Sequence, residues 1–363
     1  MTHSQQAFLE LLRAGLWGTA PATGCFPLPA AEWQEVFDES RRQTVQGVVY
    51  DAMQRLPDDF VPPTAITLQW TSDVANIIAF HNTTQRAVVA TYNLLRQAGT
   101  EPMLLKGLSS GHCYPNPQLR VNGDIDWYLP PADLNTLPAY LRQQGFHPQQ
   151  DADGSLSFSY DNIEVELHPR LADLLWPSHQ KAFSQIIARE GLASLPVVSS
   201  GLTPTYVPTP GATATFLIHA SHILKHTASV GIGLRQFCDM ARACHQLHEH
   251  LEPRLLTEAL RETGLLRWSR LLEHFLRRHL GLDTSLLTCG PSASDADCDH
   301  LLHLTFSGGN FGQHTPQWQQ AHTQGRNRLH TLRCYCSHAP FALRYAPQET
   351  LSLFFSLTVG QKH

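Results

Sequence analysis

Apolar residues recur at every third or fourth position through most of the first hundred residues, which is the pattern of amphipathic helices. An early stripe contains Phe8, Leu11, Leu12 and Leu16. The longest stripe runs from about residue 64 to residue 98, between the Pro62-Pro63 pair and Gly99, and prolines and glycines commonly mark helix ends. The pattern therefore predicts a helical N-terminal region over residues 1–100.

After residue 101 the apolar runs become short, which is typical of strands. The predicted strands are residues 103–105, 124–129, 156–160 and 163–167. A short helix is expected after Gly107, and a longer one begins at Pro131 and is closed by Gly145. The last two strands flank Asp161-Asn162, a pair typical of a hairpin turn. These elements predict a compact mixed α/β core.

Most of the remaining chain again has a helical pattern. Residues 170–200 are expected to be helical and then irregular, and Pro204, Pro208 and Pro210 indicate a loop. Helical patterns then follow from Ala212 to Leu224, over residues 234–247, over 252–264 and over 266–280.

The last eighty or so residues carry weaker signals. The segment from Asp283 to Asp299 is rich in turn-forming residues and is expected to be a linker or an insertion. We expect a helix near residues 315–338, and an apolar patch extends from Leu351 to Leu357. The predicted regions are therefore 1–100, 101–200, 201–282 and 283–363.

Composition narrows the class of protein. Of the 363 residues, 42% are apolar and 16% are charged, which suits a globular protein with a substantial core. The formal net charge of −5 argues against a protein that coats DNA or RNA, because such proteins carry an excess of basic charge. A nucleic-acid partner is therefore not expected.

The eight cysteines and the lack of long apolar runs bear on the cellular compartment of the protein. No two cysteines form a CxxC pair, so a structural zinc site is not expected, and the thiols are interpreted as reduced. The N-terminal residues lack the basic and apolar segments of a secretory signal, and no run of about 18 apolar residues occurs. We expect a cytoplasmic protein without a membrane span.

Acidic residues in two of the predicted strands are the strongest chemical signal. Side chains alternate between the faces of a strand, so Asp124 and Asp126 share one face, as do Glu164, Glu166 and His168. Carboxylates crowded on one face repel one another unless a cation is present. Oxygen ligands of this kind are those that Mg²⁺ or Mn²⁺ prefers, so the pattern predicts a site for metal-assisted phosphoryl or nucleotidyl transfer.

The order of these motifs resembles the uncharacterised nucleotidyltransferase family of the polymerase-β-like superfamily. The likeness rests on Lys106-Gly107, Tyr114-Pro115, Arg120, Asp124-Ile125-Asp126 and Glu166-Leu167-His168. It covers about residues 60–250 and is strongest over 103–170. It implies an α+β fold in which a small mixed-sheet nucleotidyltransferase core is flanked by N- and C-terminal helical regions, with residues 201–282 closing the cleft.

The resemblance also implies roles for the acids. Asp124 and Asp126 correspond to the first two metal ligands and Glu166 to the third catalytic acid. Glu164 shares a face with Glu166 and remains an alternative as the third ligand.

A turn beside the first strand is expected to bind phosphate. By resemblance, Gly107 and Ser109 form this turn, and backbone N–H groups at such a position favour an anion. The superfamily usually has Gly-Ser or Gly-Gly here, whereas this chain has Gly107-Leu108-Ser109, so Ser110 is an alternative contact.

Three further side chains are candidates for contacts with substrate. Lys106 is one of only four lysines in the chain; it either contacts a phosphate or is an exposed lysine at a strand end. Arg120 either binds a triphosphate oxygen or makes a structural salt bridge. His168 either contacts substrate, orients Glu166 by a hydrogen bond without binding the metal itself, or has a structural role.

A second candidate cluster lies in the predicted C-terminal helices. His222 and His226 are four residues apart, a spacing that can bind zinc. The resemblance places Lys225, Arg235 and Asp239 beside the core, where they hold a base or a sugar. The alternative for each of these residues is helix packing and capping.

The predicted activity is transfer of a nucleoside monophosphate from a nucleoside triphosphate, with ATP among the expected donors, to a hydroxyl-bearing small molecule or protein. One alternative is a toxin-like nucleotidyltransferase. The other is a catalytically inactive protein that binds nucleotide or serves as a scaffold in a biosynthetic cluster.

Overall fold

The computed structural model describes residues 1–151, 153–198, 203–286, 288–290, 294–310 and 327–359. The predicted helical N-terminal region is confirmed. Its helices are α1 (His3–Trp17), α2 (Ala30–Arg42), α3 (Gln46–Met53) and α4 (Thr64–Gln97). A capping box starts α1, because Thr2 accepts a hydrogen bond from the Gln5 backbone N–H while the Gln5 side chain accepts one from Thr2.

A five-stranded sheet follows the long helix α4. Its strands are β1 (Met103–Leu104), β2 (Ile125–Tyr128), β3 (Gln149–Gln150), β4 (Leu156–Tyr160) and β5 (Ile163–His168). Between them lie the short helix α5 (Leu108–Gly111) and the helix α6 (Pro131–Gln143). The spatial order is β1-β2-β5-β4-β3; β2 and β5 are parallel, and the other neighbours are antiparallel. Asp161 and Asn162 both have positive φ, as a tight hairpin turn requires.

One face of this sheet packs on α4 and α6. Ile125 and Trp127 of β2 and Val165 and Leu167 of β5 are buried there. The indole N–H of Trp127 donates to Thr91 Oγ1 of α4 over 3.1 Å, which satisfies the polar atom of a fully buried side chain. Because side chains alternate along each strand, the acids lie on the opposite face.

Two predictions were wrong here: that residues 170–200 end in irregular chain, and that Pro208 and Pro210 lie in a loop. The helix α7 (Pro177–Glu190) is followed by a two-stranded hairpin of β6 (Leu192–Val197) and β7 (Thr205–Pro210). Pro196, Pro208 and Pro210 lie opposite Tyr206, Ser194 and Leu192, so they occupy alternate cross-strand pairs. Every second pair of an antiparallel ladder needs no N–H from its members, and prolines are tolerated there.

The predicted helices after Ala212 are confirmed. They are α8 (Ala212–Ala228), α9 (Leu234–Leu247), α10 (Pro253–Glu262) and α11 (Leu266–Leu280). Their core is shared with the N-terminal helices. Arg13 and Trp17 of α1 donate side-chain hydrogen bonds to the carbonyls of His279 and Leu280 at the end of α11.

Three further helices complete the described chain: α12 (Asp295–Gly308), α13 (Asn327–Leu343) and α14 (Pro347–Val359). The linker expected up to Asp299 therefore ends early, because Ser294 caps α12 by accepting a hydrogen bond from Asp297 N–H. Of the helix predicted near residues 315–338, positions 315–326 lie outside the described residues. The apolar patch at 351–357 lies within α14.

The confirmed fold class is α+β, a small mixed sheet flanked by helical regions. Within the described ranges, no helix combines the length and the apolar character that crossing a membrane requires.

Candidate metal centre

Strands β2 and β5 bring the acids together on the face of the sheet that does not pack on α4. The two strands are parallel, and their register aligns Asp126 with Glu166 and Tyr128 with His168. Neighbouring strands lie about 4.8 Å apart, so aligned side chains on one face meet. We refer to this surface as the acid face.

Two carboxylates and one imidazole form a compact group on the acid face. Ligand atoms of Asp126, Glu166 and His168 all lie within 4.8 Å of one another. His168 Nε2 is 2.8 Å from Asp126 Oδ1 and 3.2 Å from Glu166 Oε2. Among the residues that the structure describes, this is the only such group, and Asp124 and Glu164 are not members.

Two cationic groups contact Asp126, whose side chain is 1% exposed. Lys106 Nζ lies 3.1 Å from Asp126 Oδ1, the same oxygen that His168 approaches. Burial alone raises the pKa of Asp126, but the charge of Lys106 and the hydrogen bond from His168 hold that pKa below its ordinary value. Asp126 is therefore ionised near neutral pH.

The same contacts raise the pKa of the two cationic partners, His168 and Lys106. Burial lowers the pKa of His168, but the hydrogen bonds to Asp126 and Glu166 outweigh it and raise that pKa to about 9. Burial also lowers the pKa of Lys106, while the charges of Asp126, Asp124 and Asp173 raise it above its ordinary value. Both side chains therefore carry positive charge next to the carboxylates.

Asp124 is exposed and directly precedes β2, and the charge of Asp126 changes its pKa. The negative charge of Asp126, together with burial, raises the pKa of Asp124 to about 6. Glu164 is exposed on the same face as Glu166, and partial burial followed by the charge of Glu166 raises its pKa. Such mutual repulsion indicates a face that gains stability from an added cation.

The donor chemistry of this group fits a divalent ion. Carboxylate oxygens are the ligands that Mg²⁺ and Mn²⁺ prefer, whereas the protonated His168 offers no lone pair and acts as a hydrogen-bond donor to the carboxylates. Asp126 and Glu166 face each other across adjacent strands, and Asp124 directly precedes β2, two residues before Asp126. Of the acids predicted from sequence, Asp126 and Glu166 therefore lie together where they could hold a metal ion.

The turn after β1 passes along the backbone of β2. Leu105 N–H donates to the Asp126 carbonyl over 3.0 Å. Gly107 has φ +73°, and a Cβ there would lie 3.5 Å from the Asp124 carbonyl oxygen. Since φ in this region favours glycine, Gly107 allows the chain to bring Lys106 beside Asp126.

The two serines of the turn face a different direction from Lys106. Ser110 is buried, and its Oγ is 3.5 Å from His219 Nε2 of α8. Ser109 and Ser110 border a cavity of about 510 Å³ that also contacts the β6–β7 hairpin. No contact described here places Ser109 or Ser110 on the acid face, so their predicted phosphate contact stays a prediction.

Arg120 forms a buried salt bridge within the protein. Its Nε and Nη2 donate to the two carboxylate oxygens of Asp239 over 3.0 and 2.7 Å, and both side chains are buried. Its Nη1 donates to the Val121 carbonyl and to Asn122 Oδ1. The structure thus favours the salt bridge over the triphosphate contact that the resemblance implied.

The second predicted cluster is likewise held by internal contacts. Asp239 also accepts a hydrogen bond from the Tyr114 hydroxyl over 2.8 Å, and Arg235 donates to the Val121 carbonyl. His222 Nδ1 lies 2.9 Å from Asp173 Oδ2, and Lys225 Nζ lies 2.7 Å from Asp173 Oδ1. Within the described residues, His222 and His226 are not part of a group of three metal ligands.

Asp173 is a residue that the sequence analysis missed. Burial raises its pKa, but Lys225 and His222 outweigh burial and hold that pKa well below its ordinary value. It lies five residues after His168 and receives its partners from α8, about fifty residues later in the chain. No local pattern marks such a long-range contact.

A family model described as uncharacterised nucleotidyltransferase matches residues 29–281. No curated protein and no solved structure matches the chain.

Proposed function

The chain belongs to the uncharacterised nucleotidyltransferase family, and from this premise we propose that it transfers a nucleoside monophosphate from a nucleoside triphosphate to a hydroxyl-bearing acceptor, with the aid of Mg²⁺ or Mn²⁺. The observation that carries the proposal is the group formed by Asp126, Glu166 and His168, whose ligand atoms lie within 4.8 Å of one another.

The acids have distinct roles in this proposal. Asp126 and Glu166 would hold the metal ion, with Asp124 as an additional ligand at the exposed edge. A divalent ion bound there would supply positive charge to the phosphate oxygens and would lower the pKa of a bound hydroxyl. Lys106, whose Nζ lies 3.1 Å from Asp126 Oδ1, would contact a phosphate oxygen next to the metal site.

The bond changes balance without a further reactant. The acceptor oxygen forms a bond to the α-phosphorus while the bond between that phosphorus and the bridging oxygen to the β-phosphate breaks. Pyrophosphate leaves with the electron pair, and the hydroxyl proton passes to Glu166, whose side chain is 32% exposed and open to an incoming acceptor. Positioning and charge stabilisation then supply most of the rate enhancement.

One observation favours the alternative of an inactive, nucleotide-binding scaffold. Lys106 and His168 already compensate the charge of Asp126 with groups of the protein itself. A family member that had lost metal binding would be stable with this arrangement. The two functions differ in whether nucleotide binding requires a divalent ion.

Calorimetric titration of non-hydrolysable ATP and GTP analogues, with and without Mg²⁺, separates them. The proposed function expects binding to the wild type that depends on the metal and is lost in Asp126→Asn. That substitution keeps the size of the side chain, so circular dichroism should show an unchanged fold. Glu101→Gln, which alters an exposed surface pair with Arg96, is the matched control and should bind like the wild type.

Equal binding with and without Mg²⁺, unchanged in Asp126→Asn, would support the scaffold. Absence of any binding to the folded wild type would contradict both functions. With an acceptor in hand, turnover retained by Asp126→Asn would exclude the catalytic role of this carboxylate.

A further inference from the structure

A small cavity opens beside the metal centre, between the end of β5, the helix α8 and the C-terminal helix α14. Its volume is about 230 Å³. Lys106 and His168 border it on the side of the metal centre. The cavity therefore lies within reach of the proposed reacting groups and is smaller than the usual pocket of a drug-sized ligand.

Basic side chains outnumber acidic ones in the polar wall of this cavity. Lys106, His168, Arg170 and Lys225 line it together with the carboxylates of Asp153 and Asp173, and Arg170 Nη2 lies 3.7 Å from Asp153 Oδ2. Lys225 Nζ makes one described hydrogen bond, to Asp173 Oδ1, whereas an ammonium group has three N–H donors. The Lys225 side chain is 43% exposed, so its remaining donors are accessible to a ligand.

The partner of Lys225 is held in place from two sides. Asp173 is bound by His222 and Lys225 over 2.9 and 2.7 Å. Burial lowers the pKa of His222, so that its ring is neutral near pH 7 and adds a directional contact without adding charge. This arrangement fixes the ammonium group at the cavity wall, which lowers the entropy cost of binding an anion there.

The opposite wall is apolar and comes from a part of the chain that the family match does not cover. Leu353 and Leu357 of α14 line the cavity with Ser356, and Ile218 of α8 extends the same surface. The matched residues end at 281, so α14 is an addition to the matched region. The apolar wall suits the carbon skeleton of a small molecule, while Lys225 suits a negative group on it.

We propose that this cavity binds the acceptor, and that the acceptor is a small alcohol carrying a phosphate or carboxylate group. The inference rests on the proposed function and adds to it the class of acceptor. The anionic group would lie at Lys225, the carbon skeleton against α14, and the hydroxyl toward Glu166.

The test begins with protein saturated with Mg²⁺ and a non-hydrolysable ATP analogue, which is a separate check of the proposed function. Glycerol 3-phosphate and glycerate are then titrated calorimetrically as probes that each combine hydroxyl groups with one anion. We expect one of them to bind the saturated wild type, and the stronger probe identifies the anionic group as phosphate or carboxylate.

Variants locate the binding. Lys225→Met should weaken the probe by about tenfold to a hundredfold, as loss of a charge-assisted hydrogen bond predicts, and Lys225→Arg should restore most of the affinity. Ser356→Trp, which fills the cavity, should weaken it at least tenfold. Thr358→Trp, an equal substitution at an exposed position of α14, is the control and should bind like the wild type. All four variants should bind the ATP analogue normally.

Each other result overturns the inference. If neither probe binds the nucleotide-saturated protein, the cavity is not an acceptor site for small anions. If the probes bind only when nucleotide is absent, or if Ser356→Trp weakens the ATP analogue instead, the cavity belongs to the nucleotide. If an acceptor is found to be a protein side chain whose modification is unaffected by Ser356→Trp, the cavity has no part in acceptor binding. If the ATP analogue itself fails to bind, the proposed function fails, and the inference that rests on it fails with it.

Discussion

The ammonium group of Lys106 lies 3.1 Å from Oδ1 of Asp126, a carboxylate that is almost completely buried. The contact joins the turn after β1 to the middle of β2, and Gly107 makes it geometrically accessible. It provides a cation to the acid face from within the protein. Stability and activity should therefore both depend on this one lysine.

Lys106→Met should lower the free energy of unfolding by about 1–3 kcal/mol, because a buried carboxylate loses one of two charged partners. His168 remains to limit the loss. Lys181→Met changes an exposed lysine on α7 and should alter stability by less than about 0.5 kcal/mol. Urea unfolding of both variants in EDTA measures the difference. Equal stabilities would mean that Lys106 contributes no net stabilisation to Asp126.

The identity of the third acidic ligand can be decided by comparing two glutamates of β5. Glu166 belongs to the group of ligand atoms. Glu164, two residues earlier in the same strand, is exposed and outside that group. Glu166→Gln should weaken Mn²⁺ binding more than about tenfold, since even changes behind the ligands cost 10- to 100-fold. Glu164→Gln should change it by less than threefold, on the order of 0.5 kcal/mol.

Titration of Mn²⁺ followed by electron paramagnetic resonance measures the free ion directly. A larger loss in Glu164→Gln than in Glu166→Gln would assign the third ligand to Glu164. The two variants remove the same charge from the same strand, so a general effect of net charge would weaken them equally.

The local part of this site was predictable from the sequence. Strand alternation predicted that Asp124 and Asp126 share a face and that Glu166 shares one with His168, and the register of β2 and β5 sets Asp126 beside Glu166 on the same face of the sheet. The sequence pattern also gave the hairpin at Asp161-Asn162. These features depend on residues that are close in the chain and on the two-residue period of strands.

The parts that were missed depend on long-range contacts or on exceptions to local rules. Arg120 finds Asp239 and Asp173 finds Lys225 only after the helices pack, so neither partner is visible in a local pattern. The β6–β7 hairpin contains Pro196, Pro208 and Pro210, which normally argue against strands. The prolines are tolerated because they occupy every second cross-strand pair of the hairpin. That register is not visible in the sequence.

Asp239→Asn should destabilise the protein strongly near neutral pH. The substitution leaves the Arg120 guanidinium buried without its counter-ion, and breaking one partner of such a pair costs about 3–5 kcal/mol. Urea unfolding checks the loss. Unchanged stability with weakened binding of the ATP analogue would instead restore the triphosphate role that the resemblance implied for Arg120.

The same variant has a defined pH dependence. Burial raises the pKa of Asp239, but Arg120 outweighs burial and holds that pKa below its ordinary value, so the unfolded state binds the proton first as pH falls. The stability difference between wild type and Asp239→Asn should be constant above about pH 5 and shrink as the pH falls through the unfolded-state value near 4. A difference that grows on acidification would contradict the direction of this shift. Glu101→Gln, at an exposed pair, should show almost no pH-dependent difference.

Glu349 of α14 contacts three residues at the start of α7 and in the chain just before it. One carboxylate oxygen accepts from Leu175 N–H over 2.6 Å, and the other lies 2.6 Å from His179 Nδ1 and accepts from Trp176 N–H over 3.2 Å. Glu349 and His179 are both buried, and the contacts join residues 170 to 174 positions apart in the sequence. They join the C-terminal helix to the start of α7, next to the cavity that Leu353 and Leu357 line.

Glu349→Gln should loosen α14 without unfolding the rest of the protein. The amide has one acceptor oxygen, and its NH₂ group faces N–H donors, so at least one backbone donor loses its partner. Hydrogen exchange over residues 347–359 should become about 10- to 100-fold faster, while exchange in β2 and β5 stays unchanged. Glu262→Gln, which alters a surface pair with Arg189, is the control and should leave both regions unaffected.

Because α14 forms the apolar wall of the cavity, the Glu349→Gln variant should also weaken binding of glycerol 3-phosphate or glycerate while the ATP analogue binds normally. Faster exchange in α14 with unchanged binding of these probes would separate the helix from the cavity's function. Unchanged exchange would show that the apolar contacts of Leu353 and its neighbours, which bury one side of the helix, are sufficient to dock it.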